Sequence, residues 1–504
     1  MNNSNGSNVQ VFRKSVILTQ TRICSDTMRY LLSALAFSVA LRASPAFAQA
    51  PPPLADRMDH AARFYQNRDG FMGMVAVARD HQLIFQRGYG YANLEWKIPF
   101  TPDTRFRIGS LTKQFTAAAI LLLQQDGKLK TSDSISRFYP DAPAAWSRIT
   151  LRNLLTHTSG IPDVDFGQIL KFSPHTPEEL MKGIPEEPLK FPPGTKYEYA
   201  NINYMLLDRV IEKASGGPYC RFLKDRIFTQ LQLNETGCDW NSTLVPHRAY
   251  GYHPSAGGPV AVEDDDLSSL AGAGNLYSST GDLIRWTEAL HGGKVLSPAS
   301  LAEMLTPFLD SYGYGLQIDS GEGALDISHN GAVDGFFSFL DYIPQTRTTV
   351  VVLSNLVVEG NHSTPGAVAV DTELVRLAMN ENTILPSEGK EADVSEKILH
   401  TYTGRYRSTD HEHPQFLLLT MAGGHLYIQN EGATTAPVRM FAETSSRFYL
   451  ARQEIEFTFD PHDAGSLSLE FVDLSSIYAI NFTRVEDSGA QPPAAAPAKT
   501  TNPP

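Results

Sequence analysis

Near residue 380 the residue pattern changes period, and one core cannot serve both sides of that change. Before it, stretches with apolar residues at helical spacing lie between two groups of strand-like runs. After it helical spacing disappears, and short β-type runs follow at 404–407, 416–421, 425–428, 438–441, 447–450, 454–459, 466–471 and 478–482. Short runs at roughly ten-residue intervals predict a small closed barrel or sandwich. The chain has 504 residues, more than one hydrophobic core usually serves, so at least two folding units follow.

The upstream part reads as a mixed layer. Residues 72–78 and 83–89 form two strands around the polar turn Arg79-Asp-His-Gln82. From 110 to 125, Leu111, Phe115, Ala118, Ala119 and Leu122 recur on one helical face, and Gly127 suits the stop. Further helical runs are 176–181, 204–214, 280–291 and 297–305, and strands return at 312–318, 327–342 and 348–355. Strands at both ends with helices between, and no regular β-then-α alternation, predict an α+β fold. The segment 381–397 is polar and charged and reads as a linker, and the Ala/Pro/Thr-rich end has nothing to bury.

The first 48 residues read as a signal peptide. Basic Arg29, the run from Tyr30 to Leu41 and the small-residue exit Ala46-Phe-Ala48 are its three parts. The polar stretch before Met28 is overlong for such a leader, which suggests that translation starts at Met28. Cleavage after Ala48 would remove five basic residues and one acid and deepen the net charge from −13 to −17. That balance opposes binding of nucleic acid by counterion release. The leader predicts a periplasmic or secreted chain with no stable membrane anchor. Cys220 and Cys238 would remain, and an oxidising compartment allows a bridge between them. Their spacing leaves a bridge and two separate thiols both open. Glu263-Asp-Asp-Asp266 and Asp410-His-Glu-His413 read as solvated loops, so no metal or other cofactor is expected.

Three short motifs carry chemistry. In Ser110-Leu-Thr-Lys113, residues three apart on a helix share a face, so the lysine amine can stand beside the serine hydroxyl at a helix start rich in unpaired N–H groups. Those are the needs of a nucleophile. Tyr199-Ala-Asn201 and His329-Asn-Gly331 follow. Each motif has a second copy, at Ser387-Glu-Gly-Lys390, Tyr91-Ala-Asn93 and His291-Gly-Gly293, and position decides against those. His157, in Leu-Thr-His-Thr-Ser-Gly, reads as a hydrogen-bond donor that fixes a loop.

Ser-x-x-Lys, Tyr-x-Asn and His-x-Gly, in that order and about 90 and 130 residues apart, resemble the serine β-lactamase and penicillin-binding protein superfamily. The resemblance is to its class C-like branch, which includes D,D-peptidases, D-amino-acid amidohydrolases and family VIII carboxylesterases. Ala273-Gly-Asn-Leu-Tyr-Ser278 and Tyr312-Gly-Tyr-Gly-Leu316 are similar to linking segments of that branch. The resemblance implies an antiparallel sheet flanked by helices with an all-helical subdomain over 49–380. It also implies, more weakly, a lipocalin-like C-terminal β-domain over 398–486, before a disordered tail at 487–504.

By the same resemblance, Ser110 is the acyl-accepting nucleophile, and Lys113 and Tyr199 share general-base work, the lysine's charge lowering the tyrosine's pKa. Asn201 holds the substrate amide or orients Lys113, His329 and Gly331 orient substrate, and the N–H groups of Ser110 and Ala332 form the oxyanion hole. Lactamases carry lysine where this chain has His329. A mostly neutral histidine reads a free carboxylate weakly, which favours esters or peptides over β-lactams. The implied partner is a small-molecule or peptide substrate. The competing class is a non-catalytic penicillin or peptide recognition protein. The β-domain, placed after a flexible linker, is expected to cap the site or to dock protomers together.

Overall fold

The computed structural model describes residues 53–485 except 164–187, 241–242, 256, 264, 321–323, 359–364, 382–384, 386, 389–390, 410–414, 433–436, 443, 451–452, 461–462 and 474–475. The leader, the tail, the run 176–181 and Asp410-His-Glu-His413 therefore lie outside the described residues.

A six-stranded antiparallel sheet organises the first unit. Its strands are β1 (Gly73–Arg79), β2 (Gln82–Tyr89), β3 (Gln317–Asp319), β4 (Asp326–Val333), β5 (Phe336–Ile343) and β6 (Thr348–Ser354), in the spatial order β3-β4-β5-β6-β1-β2. Side chains alternate across a strand, and β1 obeys that rule with both faces apolar. Met74, Ala76 and Ala78 face one core, while Val75 and Val77 face the other. The first core contains α2 (Thr112–Gln125), buried along nearly its whole length, with α3 (Leu151–Leu155), α4 (Asn201–Ser215) and α5 (Thr280–His291) around it. The second is closed by α1 (Leu54–Asp69) and α6 (Pro365–Met379).

Several sequence expectations need revision. The strand expected over 327–342 is two strands, because Asp334 and Gly335 turn the chain, Gly335 at φ +74°. The expected strand at 312–318 is mostly a turn, in which Gly315 adopts φ +70° and passes so close to Lys113 that a Cβ would lie 2.7 Å from the lysine carbonyl oxygen. Helices α1 and α6 escape a search for strong helical runs because they sit at the edges of Pro-rich or glycine-bearing segments. The bridge left open by spacing is present, joining Cys220 to Cys238.

The second unit is a closed antiparallel barrel of eight strands, β7 (Gly404–Ser408), β8 (Phe416–Ala422), β9 (His425–Asn430), β10 (Val438–Ala442), β11 (Arg447–Leu450), β12 (Gln453–Asp460), β13 (Asp463–Asp473) and β14 (Ser476–Val485). Closure removes the exposed edges that an open sheet would leave. Helix α7 (Glu396–Tyr402) supplies Leu399 and Tyr402 to the interior, and Tyr402 stacks on Phe459 at 3.9 Å between centroids.

The segment between the units is fastened, not flexible, at its described residues. Leu385 is buried among α1 and α6, and the Glu388 carboxylate takes a two-pronged ion pair from Arg57, one prong at 2.6 Å. The Ser387 N–H and the Tyr65 hydroxyl both donate to Glu373 Oε1, at 2.8 and 2.7 Å. Ser387, the serine of the second Ser-x-x-Lys copy, is thus a buried structural residue. The barrel docks through α6 and through the Arg68 guanidinium of α1, 5.4 Å from the Tyr449 ring centroid. That is the face of the sheet away from α2, so within one chain the barrel does not cap Ser110.

Candidate active site

Ser110 sits in a single 3₁₀ turn, Gly109–Leu111, that leads straight into α2. The turn needs Gly109, at φ +49°, because few side chains tolerate left-handed backbone. One turn on, Lys113 is fully buried with its amine among three oxygens: Ser110 Oγ at 2.9 Å, Asn201 Oδ1 at 2.8 Å and the Ala273 carbonyl at 2.9 Å. The Tyr199 hydroxyl donates to Ser110 Oγ at 2.9 Å. The first two sequence motifs therefore meet around one hydroxyl, although 89 residues separate Tyr199 from Ser110.

Burial decides the protonation states. It disfavours the ammonium and pushes Lys113 down to about 7, against the opposing pull of the Asp163 carboxylate. Tyr199 moves the other way from the expectation set by its lysine neighbour. Burial raises its pKa, the Ser110 hydrogen bond lowers it and the charge of Asp163 raises it further. The phenol is therefore a proton donor at neutral pH and the amine can be a base. A neutral amine can donate its two N–H bonds to Asn201 and Ala273, which aims its lone pair at the Ser110 hydroxyl.

Strand β4 closes the other side. A Cβ at Gly331 would lie 2.1 Å from the Ile108 carbonyl oxygen and 2.9 Å from the Ser110 nitrogen, and one at Gly109 would lie 2.7 Å from the Ala332 nitrogen. Two glycines thus let two backbones touch, and the amides of Ser110 and Ala332 share one neighbourhood. Ser338 Oγ ties the segments together by donating to the Ile108 carbonyl at 2.9 Å. What Gly331 supplies here is the close approach.

His329 is buried and pushed down to about 3, by burial first and by the charge of Lys113 second. Its Nδ1 meets the Asn330 carbonyl, which fixes the hydrogen there, so Nε2 accepts from the Tyr312 hydroxyl at 2.9 Å. His157 is also neutral, its pKa lowered chiefly by burial, and the Ala200 N–H donates to its Nδ1 at 3.2 Å. It fixes the loop as an acceptor, the reverse of the expected donor. Its ring lies against those of Tyr199, Tyr204 and Tyr312, with centroids at 4.3, 5.2 and 5.0 Å.

The Ala273 carbonyl, Tyr312 and Asp163 are the parts that motif reading missed. Ala273 and Tyr312 lie within the two linking segments that resemble the family branch, and Asp163 follows Ile161-Pro162 directly. Among the described residues no group of His, Cys, Asp and Glu is placed to hold a metal, and no helix is long and apolar enough to cross a membrane. Asp266 caps a 3₁₀ turn through the Ser268 N–H at 2.9 Å.

Comparison with known proteins gives the family. A family model described as Beta-lactamase matches residues 58–372. The putative penicillin-binding protein PbpX of Bacillus subtilis is 35% identical over 293 residues, which is 58% of this chain and 72% of that protein. Penicillin-binding protein 4* of the same organism is 29% identical over 427 residues, 79% of this chain and 92% of its own. Among solved structures, the D-amino acid amidase of Ochrobactrum anthropi SV3, complexed with L-phenylalanine amide, is similar at a TM-score of 0.57 and 28% identity, covering 65% of this chain and 97% of that one. The family match takes in every residue of the cluster from Ser110 to His329, and it supports a hydrolase-type function: the chain belongs to the beta-lactamase family.

Proposed function

We propose that the protein is an exported serine hydrolase that cleaves an amide or ester through an acyl-serine. The observation that carries this reading is the Ser110 hydroxyl held between a lysine amine and a tyrosine hydroxyl, each at 2.9 Å, with the lysine poised at about 7. Ser110 Oγ attacks the substrate carbonyl carbon while its proton passes to Lys113 Nζ. The carbonyl oxygen takes the negative charge between the Ser110 and Ala332 amides, donors worth about 3 to 4 kcal/mol each in comparable sites. The bond to the leaving group breaks, and that group takes a proton from the Lys113–Tyr199 pair. A water then repeats the sequence on the acyl carbon and frees Ser110.

Substrate choice follows from charge. With His329 neutral, the third motif offers no cation for a free carboxylate, so neutral or ammonium-bearing acyl groups suit the site. D-aminoacyl amides and short esters fit that description, and the similarity to a D-amino acid amidase supports it. Export is supported by the leader motif and by the Cys220–Cys238 bridge.

The test is turnover of a p-nitrophenyl ester and of D-phenylalanine amide, with labelling by a fluorescent penicillin, in wild type and Ser110→Ala. A loss of at least about 10⁴-fold in kcat is expected on substitution. Labelling without turnover of any ester or amide would instead support the recognition protein.

A further inference from the structure

Helix α4 starts at Asn201 without a side-chain cap of its own, since the residue before it is Ala200. The acceptor arrives from 38 residues upstream. One oxygen of the Asp163 carboxylate takes the Asn201 N–H at 3.0 Å, and the other takes the Ile202 N–H at 3.1 Å. The same first turn presents Asn201 Oδ1 to the Lys113 amine. The described residues just before Asp163 are fastened to this segment. The Glu198 N–H donates to the His157 carbonyl at 3.0 Å, the Gly194 N–H to the Thr158 carbonyl at 2.8 Å, and Ser159 Oγ to Asn203 Oδ1 at 2.6 Å.

We propose that Asp163 is a positioning residue for the nucleophile: its carboxylate fixes the turn of α4 through which Asn201 holds the Lys113 amine beside Ser110. The groups that face the amine are the Ser110 hydroxyl, the Asn201 amide, the Ala273 carbonyl and the rings of Tyr199 and Tyr204, whose centroids lie 4.9 and 5.7 Å from Nζ. Both phenols are pushed up and both nearby imidazoles, His157 and His329, are pushed down, so all four are neutral near pH 7. Among the described residues Asp163 is the charged group that acts on the lysine, and it favours the ammonium. Its removal should make Lys113 a weaker base that is deprotonated at lower pH. A cap without electrostatic duty would lower stability or rate and leave the titration where it was.

This inference rests on the reading of Lys113 as the base, and the experiment separates the two. Lys113 is titrated by NMR of its side chain in wild type, Asp163→Asn, Asp163→Ser and Asp163→Glu, alongside the pH dependence of ester kcat/KM. Serine retains an oxygen suited to capping a helix start, so folding is not staked on the charge. The midpoint should fall by about half a unit or more in the Asn and Ser variants and return toward wild type in Glu. The acid limb of kcat/KM should move with it. An unmoved midpoint in both neutral variants overturns the proposal. A shifted midpoint in protein that turns over no ester or amide retains Asp163 and removes the hydrolase.

Discussion

The two units of this chain fill their interiors on opposite terms. Around α2 the core accepts Lys113, His157, Thr112, Thr116 and Asn203 among its apolar residues. Inside the barrel, Tyr402, Tyr406, Phe448, Phe457, Phe459 and Phe482 pack with leucines and Met440, and the Tyr406 hydroxyl finds the Tyr402 carbonyl at 2.9 Å. A barrel pairs its backbone by closing and can then be filled like oil-loving matter of matched shape. The sheet unit buries a lysine that would be far more stable in water. The difference teaches where the chain gives up stability: a buried amine is expensive, and its depressed pKa is the form that expense takes.

Lys113→Met breaks the comparison most directly. It should lower kcat for the ester by about 10³-fold, within the range seen for a lost general base, while stability rises. The sign follows from linkage. Lys113 is at about 7 when folded against 10.5 as a free side chain, so the unfolded chain binds its proton more tightly. The penalty is complete below about pH 7 and fades as pH climbs toward 10.5. The methionine variant should therefore gain a few kcal/mol at pH 6 and little near pH 10, read by urea unfolding at both. Equal gains at the two pH values would mean that the amine is not buried neutral. Wild-type kcat/KM should rise as pH passes through about 7.

Phe459→Ala asks the converse question of the barrel. Phe459 is fully buried, stacked on Tyr402 and edge-on to Phe448 at 5.7 Å. Truncation should cost about 3 to 5 kcal/mol, with ester turnover per folded molecule unchanged because the barrel sits behind the sheet. All four tryptophans, Trp96, Trp146, Trp240 and Trp286, precede the barrel, so their fluorescence follows the sheet unit alone. Far-ultraviolet dichroism follows both units. In this variant the dichroism transition should move ahead of the fluorescence transition; coincident transitions would show that the two units melt as one.

The same contrast explains what could be read in the sequence. The barrel was legible strand by strand, because alternation with one face inward is a local signal that closure does not alter. The motif residues were legible too, since Ser110 and Lys113 are fixed by helical spacing and Tyr199 and His329 by order along the chain. What was not legible depends on distant partners. Asp163 gains its role only when folding brings it to α4, and no local pattern marks it. Tyr199 misled because a lysine neighbour suggests a lowered pKa, whereas burial outweighs it. The fastened linker misled for a related reason: Glu388 and Ser387 look solvated until Arg57 and Glu373 are placed beside them.

A smaller effect separates the units by covalent chemistry. The Cys220–Cys238 bridge spans a sequence separation of 18 residues, and no cysteine follows Cys238. Cys238 belongs to the short strand Gly237–Cys238, which pairs with Leu276–Ser278, and that strand pairs in turn with Phe106–Arg107 just before the Ser110 turn. Constraint of the unfolded chain by a loop of this size contributes about 3 kcal/mol. Reduction, or Cys220→Ser with Cys238→Ser, should therefore lower the tryptophan-monitored transition by about that amount and leave the barrel's share of the dichroism signal in place. If reduction moves both signals together, the bridge acts on the whole molecule through the Arg57–Glu388 fastening. If it moves neither, the turn that carries Ser110 is held by its backbone pairing and by Gly109 and Gly331 without covalent help.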